Sequence, residues 1–253
     1  MAASARLERP YRVRFDEAGP DGRLRSSGYL RYAQDLAWLH SESAGFDHEW
    51  YTERGLTWLV RAVELDIVSV VEYGSELIVS TEVTGFRRVW ARRKSEFRAA
   101  GSERPAAIAI TDWVLLNARG APTRVPIEIV ELFVEPQASF TPMRIELPPT
   151  PADANAFALT VRRSELDPMA HVNNAAYLDY LDEGILAGFR PDAPLDVPRR
   201  YRAEFVASAE PGAELVGRGW QTETAWLYRL EDAGGKEMLR ARLETDPASW
   251  VGG

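Results

Sequence analysis

The chain has 253 residues, 45% of them hydrophobic, and its 38 acidic residues outnumber 30 lysines and arginines to give a formal charge of −8. This length allows one or two domains with a sizeable core, and the negative charge argues against nucleic acid as a partner, because neutralising phosphates requires a basic face. Without cysteine, an 18-residue apolar run or an apolar signal segment, we expect a protein that has no disulfide, thiol nucleophile or membrane span. It is then a cytoplasmic protein, or one whose targeting segment has been removed.

The first predicted helix follows Ser26 and Ser27, which we expect to cap it, and it closes near Gly45. Its buried stripe recurs at spacings of three and four residues, through Tyr29, Ala33, Leu36, Ala37 and His40. Four strand-like segments follow, at roughly 57–71, 76–84, 87–99 and 107–117.

The second half of the chain repeats this order. A proline-rich segment at 135–156 is the predicted linker, extended and lying across a domain surface. The second helix starts at Asn174 and carries a stripe of Tyr177, Leu181 and Ile185. Strand-like segments follow at roughly 200–208, 214–222, 225–231 and 237–245. We therefore predict an α+β protein with one domain at 1–134 and another at 157–253, each a helix with an antiparallel sheet around it.

An internal repeat supports two copies of one unit. Tyr29-Leu30-x-Tyr32 recurs 148 positions later as Tyr177-Leu178-x-Tyr180. The segment Glu72-x-Gly74-x-Glu76-Leu77 recurs 138 positions later, from Glu210 to Leu215. Two copies joined by a linker can dock as a pseudo-dimer within one chain; a homodimer is the alternative.

The segment Asp167-Pro-Met-Ala-His171-Val-Asn173-Asn174 packs a carboxylate, an imidazole and two amides immediately before the second helix. Such groups offer a base, a partner that shares a proton, and dipoles for a developing oxyanion. Helix capping would explain Asn174 but neither Asp167 nor His171.

The first copy has different residues at the matching positions: Gly19, Arg23, Arg25 and Ser26. It keeps the scaffold without this polar set, so we infer that the second half is catalytic and that the first half is free to shape a pocket.

With Tyr177, the segment resembles the hotdog-fold thioesterase signature Asp-Pro-x-x-His-Val-Asn-Asn-x-x-Tyr. From about Tyr11 to Thr245 the chain is similar to the acyl-(acyl carrier protein) thioesterases of bacteria and plastids. Four further segments carry the resemblance, at 57–61, 85–88, 112–117 and 201–205. The resemblance implies a tandem hotdog fold. It also implies an enzyme that hydrolyses the thioester between a fatty acyl chain and the phosphopantetheine of acyl carrier protein.

Asp167 is then the base that activates water, or a nucleophile that forms a transient anhydride; the residues alone do not separate these roles. His171 would orient the water or share its proton. Asn173 or Asn174, with backbone N–H groups of the helix start, would polarise the thioester carbonyl.

Glu204 enters through the resemblance alone. Tyr201-Arg202-Ala203-Glu204-Phe205 is similar to the plastid enzymes' Tyr-Arg-Arg-Glu-Cys, whose glutamate is assigned to catalysis; the alternative is a solvent-facing strand residue. Phe205 replaces the cysteine of that motif. Met169 replaces a family asparagine, for which Asn173 is the nearest substitute.

The resemblance also implies that the first half lines the acyl tunnel, although tryptophans are more commonly core residues. The candidate substrate-binding residues are Tyr32, Leu36, Trp38, Trp58 and Tyr177. An acidic carrier protein requires a local positive patch. The candidates are Arg87, Arg88, Arg92, Arg93 and Lys94 in the first half, and Arg199, Arg200 and Arg202 in the second; the alternative for each arginine is a solvated strand face.

Neither a cofactor nor a metal is predicted. The chain has only three histidines, and it lacks a phosphate loop, a dinucleotide fingerprint and a Gly-x-Ser-x-Gly elbow. Three alternatives to carrier-protein hydrolysis remain: hydrolysis of coenzyme A esters, dehydration of 3-hydroxyacyl thioesters, and acyl binding without turnover. The Asn-Asn pair after His171 favours hydrolysis over dehydration.

Overall fold

The computed structural model describes residues 6–133, 140–188 and 196–250. The chain divides into two compact units, Met1–Val63 with Val70–Met143, and Glu64–Ser69 with Arg144–Gly253. Residues 134–139 of the predicted linker lie outside the described residues. Within the described segments, no helix has the length and apolar composition needed to cross a bilayer.

The described residues of the first unit form five strands and three α-helices, the last residues of the second strand along the chain being grouped with the second unit. Its sheet has the strand order β1-β3-β4-β5-β2, and the pairs β1–β3, β3–β4 and β4–β5 are antiparallel. The elements are β1 Arg6–Arg12, α1 Ser26–Ser43, α2 His48–Glu53, β2 Thr57–Ile67, β3 Glu76–Arg87, β4 Trp90–Ala99, β5 Ala107–Leu116 and α3 Ile127–Phe133.

Helix α1 packs against β1, β3 and β5. The predicted stripe is buried, and the ring of Tyr29 meets that of Phe97 edge-on at 5.2 Å. The predicted end is confirmed: Gly45 has a φ of 88° and its N–H donates to Glu42 O at 2.9 Å, as expected of a glycine that closes a helix. The predicted start was wrong. Ser26 and Ser27 form the first helical turn, and the N-cap is Arg25, without a side-chain cap.

The second unit repeats the first strand by strand. Its sheet order β6-β8-β9-β10-β7 matches β1-β3-β4-β5-β2, and its paired strands are antiparallel. Helix α4 packs against β6 and β8, and its predicted stripe of Tyr177, Leu181 and Ile185 is buried. The elements are β6 Asn155–Thr160, α4 Asn174–Gly188, β7 Arg199–Phe205, β8 Glu214–Gln221, β9 Trp226–Asp232 and β10 Glu237–Glu244.

The repeat extends to single hydrogen bonds. Val13 N donates to Ser75 O at 3.0 Å in the first unit, and Val161 N donates to Ala213 O at 3.0 Å in the second. These residues are separated by the two offsets found in the sequence. The two copies therefore share their register as well as their strand order.

In both copies, a tyrosine of the long helix is hydrogen-bonded to a glutamate in the short segment that precedes the helix. The Tyr32 hydroxyl donates to Glu17, and the Tyr180 hydroxyl donates to Glu165. Burial and the neighbouring carboxylate raise the pKa of both phenols. Both hydroxyls therefore remain protonated donors throughout the neutral pH range.

Candidate active site

The polar segment before α4 is a closed loop. Asp167 N donates to His171 O at 2.8 Å, and Ala170 N donates to Asp167 O at 2.9 Å. Ala170 takes a φ of 60°, a left-handed conformation that is unusual for a residue with a side chain. The sharp turn brings the two ends of the loop together just before the helix.

The carboxylate of Asp167 is held on one side only. Its Oδ1 accepts hydrogen bonds from Met169 N at 2.9 Å and His171 N at 3.1 Å. Among the described residues, no group donates to Oδ2. Because the residue is half-buried, this second oxygen is accessible to a water molecule while the first fixes the orientation of the carboxylate.

The side chain of His171 is exposed, and it makes no hydrogen bond to any group in the described part of the chain. The contact between His171 and the Asp167 carboxylate runs through the histidine backbone N–H. The imidazole is thus free to meet a substrate or a water molecule.

The two asparagines have different roles. Asn173 Oδ1 accepts from Ala175 N at 2.9 Å, so Asn173 caps α4 and the alternative that Asn174 is the cap was wrong. The predicted start of the helix at Asn174 is confirmed. The half-buried Asn174 side chain has no hydrogen-bond partner in segments 6–133, 140–188 and 196–250. Of the two amides, the one on Asn174 is uncommitted.

The first copy closes the same loop with a different carboxylate. Gly19 N donates to Arg23 O at 2.8 Å, and Gly22 has a φ of 75° at the position that matches Ala170. Asp21 Oδ1 accepts from Arg23 N at 3.1 Å, the N–H that corresponds to His171 N. The loop therefore uses a carboxylate cap in both copies, although only the second copy takes it from the position of Asp167.

Glu204 is buried, with 1% of its surface exposed, so its interpretation as a solvent-facing strand residue was wrong. Its Oε1 accepts from Arg144 Nη1 at 2.7 Å and its Oε2 from Ile145 N at 2.9 Å. Glu204 therefore anchors residues of the predicted linker to β7. Phe205, the next residue, is also buried, and its ring lies edge-on to Tyr177 at 5.6 Å.

The first unit contains an open cavity of about 50 Å³, and the empty space of this region reaches about 530 Å³ when the solvent at its mouth is included. Trp38 and Trp58, two of the candidate substrate-binding residues, line it. Trp58 Nε1 donates to the Tyr51 hydroxyl at 3.0 Å, and the Trp38 ring lies edge-on to that of Tyr51 at 6.0 Å. The remaining lining residues come from α1, β3, β4, β5 and α3: Ala37, Ser41, Val83, Phe86, Ala91, Arg93, Trp113, Ile129 and Phe133.

Three other candidate substrate-binding residues do not line this cavity. Leu36 is fully buried in the core, and the Tyr32 hydroxyl donates to Glu17. The Tyr177 hydroxyl accepts from Ala209 N at 3.1 Å. Each of the three makes contacts that stabilise the core.

The predicted arginine cluster on β7 is engaged internally. Arg199 is buried. Arg200 Nε and Nη2 lie 2.5 and 2.6 Å from the carboxylate of Asp66, and Arg202 Nε lies 2.6 Å from Glu64. The hydrogen bonds that Arg200 donates to Asp66 raise the pKa of Arg200. Since these carboxylates neutralise Arg200 and Arg202, the cluster offers little free positive charge.

Arg87 and Arg88 are exposed where β3 turns into β4. Arg87 Nη1 donates to Phe140 O at 3.3 Å, and Arg88 has a φ of 55°. These two side chains offer positive charge to a partner at the surface of the first unit.

Arg93, predicted from the sequence only as a candidate for the positive surface patch, lines the cavity instead. It stands on β4 between Ala91 and Ser95, which are both buried. This alternation of inward-facing residues along a strand was visible in the sequence and could have identified an inward-facing arginine.

Family models match most of the chain. Residues 5–133 match the acyl-ACP thioesterase N-terminal domain, and residues 150–207 match the acyl-ACP thioesterase C-terminal domain. This chain belongs to the acyl-ACP thioesterase family. Membership agrees with the signature at Asp167–Tyr177 and with the further segments that carried the resemblance.

Several chloroplast proteins are similar along the chain. An acyl-[acyl-carrier-protein] hydrolase of Cuphea viscosissima is 24% identical over 260 residues, covering 94% of this chain and 62% of that protein. A dodecanoyl-[acyl-carrier-protein] hydrolase of Umbellularia californica is 23% identical over 263 residues, covering 95% and 68%. The chain thus spans less than two thirds of the length of the Cuphea relative.

Solved structures share the fold. An acyl-ACP thioesterase from Bacteroides thetaiotaomicron aligns with a TM-score of 0.79 and 19% identity, covering 95% of this chain and 97% of that one. The 12:0-ACP thioesterase from Umbellularia californica aligns with a TM-score of 0.79 and 22% identity, at the same coverage. These likenesses support the α+β architecture of helix and antiparallel sheet.

Proposed function

We propose that this protein hydrolyses fatty acyl thioesters of acyl carrier protein, releasing a free fatty acid and the carrier thiol. The observation that carries the proposal is the Asp167 carboxylate, fixed through Oδ1 and open at Oδ2, in a loop with His171 at the start of α4. We assign both units to the hotdog fold, as two tandem copies of a long helix and a five-stranded sheet in the order found here. The family membership of the chain supports both assignments.

In the proposed reaction, Asp167 Oδ2 takes a proton from a water molecule whose oxygen attacks the thioester carbonyl carbon. The carbonyl oxygen becomes negative in the tetrahedral intermediate. The C–S bond then breaks as the carbonyl double bond re-forms, and the departing carrier thiolate takes up the proton held by Asp167, which regenerates the carboxylate. His171, whose imidazole is exposed, orients the water and shares its proton.

Stabilisation of the oxyanion falls to the uncommitted amide of Asn174 and to the N-terminal end of α4. A helix N-terminus favours negative charge through its free N–H groups and its dipole. A single well-placed donor of this kind contributes about 10²–10³ to the rate in other hydrolases. Asn173 acts indirectly by capping the helix.

The acyl chain is proposed to occupy the cavity of the first unit. Its walls are largely aromatic and aliphatic, including Trp38, Trp58, Phe86 and Trp113. Each methylene buried in such a cavity contributes about 0.8 kcal/mol. The carrier protein is proposed to contact Arg87 and Arg88, because acidic carriers require a local positive patch on a chain whose net charge is −8.

The test is thiol release by the pure protein from acyl carrier proteins and from coenzyme A esters that bear the same graded series of acyl chains. We expect turnover of the protein-linked substrates to fall as salt rises and in an Arg87→Gln, Arg88→Gln double variant. Equal, salt-insensitive turnover of both carriers would favour coenzyme A esters as substrates. Binding without thiol release from any ester would refute hydrolysis.

A further inference from the structure

The wall of the first unit's cavity contains one ionised side chain among its described lining residues, that of Arg93. The guanidinium shares this wall with the aromatic rings of Trp38, Phe86 and Trp113. Burial lowers the pKa of Arg93 to about 10, so the group still carries its charge at neutral pH. An apolar cavity with a cation in its wall suits a ligand that has both an apolar part and an anionic part.

Arg93 makes its protein hydrogen bonds through one nitrogen. Nη1 donates to His40 Nδ1 at 2.9 Å and to Thr81 Oγ1 at 3.3 Å. In segments 6–133, 140–188 and 196–250, Nε and Nη2 have no acceptor, and no carboxylate lies within 4 Å of the guanidinium. Neither nitrogen belongs to the fully buried atoms that lack a partner. Because Arg93 lines the cavity and these two nitrogens are not fully buried, we take the Nε–Nη2 edge to be the part of the guanidinium that a ligand in the cavity could reach.

In two other arginines, the Nε–Nη2 edge binds a carboxylate. Arg92 Nε and Nη2 hold the two oxygens of Asp112 at 2.7 and 2.8 Å, and Arg200 holds Asp66 in the same way. This pair of parallel N–H groups matches the spacing of carboxylate oxygens. The fork of Arg93 has this geometry but no carboxylate in the described protein.

We propose that this cavity binds an aliphatic carboxylate, whose two oxygens accept hydrogen bonds from Arg93 Nε and Nη2 while its chain packs against the aromatic wall. A buried cation without a counter-ion is costly, and a ligand carboxylate removes that cost. The choice of a fatty chain rests on the proposed function. Its carboxylate is either that of a released fatty acid or one at the distal end of an acyl chain.

The first experiment is direct binding to the full chain, followed by fluorescence of the cavity tryptophans. We expect dodecanoate to bind at least about tenfold more tightly than dodecanol, the effect of one charge-assisted hydrogen-bonded pair. Arg93→Gln should abolish this preference, and Arg93→Lys should retain part of it. Lys94→Gln is the matched control: its residue is adjacent on β4 and pairs with Glu96, so the preference should be unchanged. Equal binding of acid and alcohol, or a preference that survives Arg93→Gln, would overturn the proposal.

The source of the carboxylate is decided by hydrolysis assays. Inhibition by dodecanoate that Arg93→Gln relieves identifies the released acid. Faster turnover of an acyl carrier protein ester with a distal carboxyl than of the plain ester, lost in Arg93→Gln, identifies a distal carboxylate. If the glutamine variant does not fold, the acid–alcohol comparison in the native protein and in Arg93→Lys decides. If no ester is hydrolysed, the proposed function is refuted. The binding of dodecanoate at Arg93 is then still decided by the acid–alcohol comparison.

Discussion

Replacing Asp167 with asparagine separates the chemical role of its carboxylate from its role in the loop. Asparagine also has an Oδ1, which can accept from Met169 N and His171 N as the aspartate does. It has no basic oxygen to take a proton from water. We therefore expect hydrolysis to fall at least about a hundredfold, the usual scale for loss of a general base, with the loop intact.

The size of the stability effect follows from the two hydrogen bonds to Oδ1. A typical hydrogen bond contributes about 0.5–1.5 kcal/mol, so Asp167→Ala should lower the free energy of unfolding by roughly 1–3 kcal/mol. Asp167→Asn retains both bonds in neutral form and should cost about 1 kcal/mol or less. The two variants should be similarly inactive but differ in stability.

The assays are thiol release from an acyl carrier protein ester and urea unfolding of each variant. Asp21→Asn is the matched control, because Asp21 Oδ1 caps the corresponding loop of the first unit. That variant should keep full hydrolysis. Undiminished turnover in Asp167→Asn would refute the catalytic assignment, as would an equal loss in Asp21→Asn.

Three further predictions concern other parts of the chain. The Arg23→Gln, Arg25→Gln double variant should leave single-turnover hydrolysis nearly unchanged, and a collapse with unaltered stability would place the first copy in the reaction. Trp38→Ala or Trp58→Ala should move the optimum towards longer acyl chains, by up to about fourfold per added methylene; an unchanged chain-length profile in both would exclude these residues from the tunnel. Glu204→Gln should lower the free energy of unfolding by roughly 1–3 kcal/mol because it weakens the buried bonds to the linker, and unchanged urea unfolding would contradict that anchoring role.

The repeated helices and most strands could be predicted because their apolar residues recur with a clear period. The stripe of α4 is an example, since Tyr177, Leu181 and Ile185 are all buried. Strands β1 and β6 were not predicted. Most residues of β1 are exposed and four of its seven are charged, so it lacks the alternation that marks a half-buried strand. Part of β6 fell inside the predicted linker.

The candidate site was predictable where its chemistry is local. Asp167 and His171 lie in one short loop, so their proximity follows from the sequence. The ion pairing of the β7 arginines could not be predicted from the sequence, because Arg200 pairs with Asp66, a residue 134 positions away in the chain. Nor could the sequence say which bulky residues of α1 face a cavity, since the helix has buried side chains on more than one face.

The two loops differ in what their carboxylate caps leave free, and this difference supports the proposal that only the second copy is catalytic. Both close through the same backbone bonds and a carboxylate cap. In the first copy, Asp21 Oδ2 lies 3.7 Å from Arg23 Nε, so the second oxygen has a cation beside it. In the second copy, the position of Arg23 is taken by His171, and the described residues give Asp167 Oδ2 no hydrogen-bond donor. The proposed chemistry therefore depends on side-chain groups that take no part in closing the loop. Asp167 Oδ2 is one such group, and the amide of Asn174 is another.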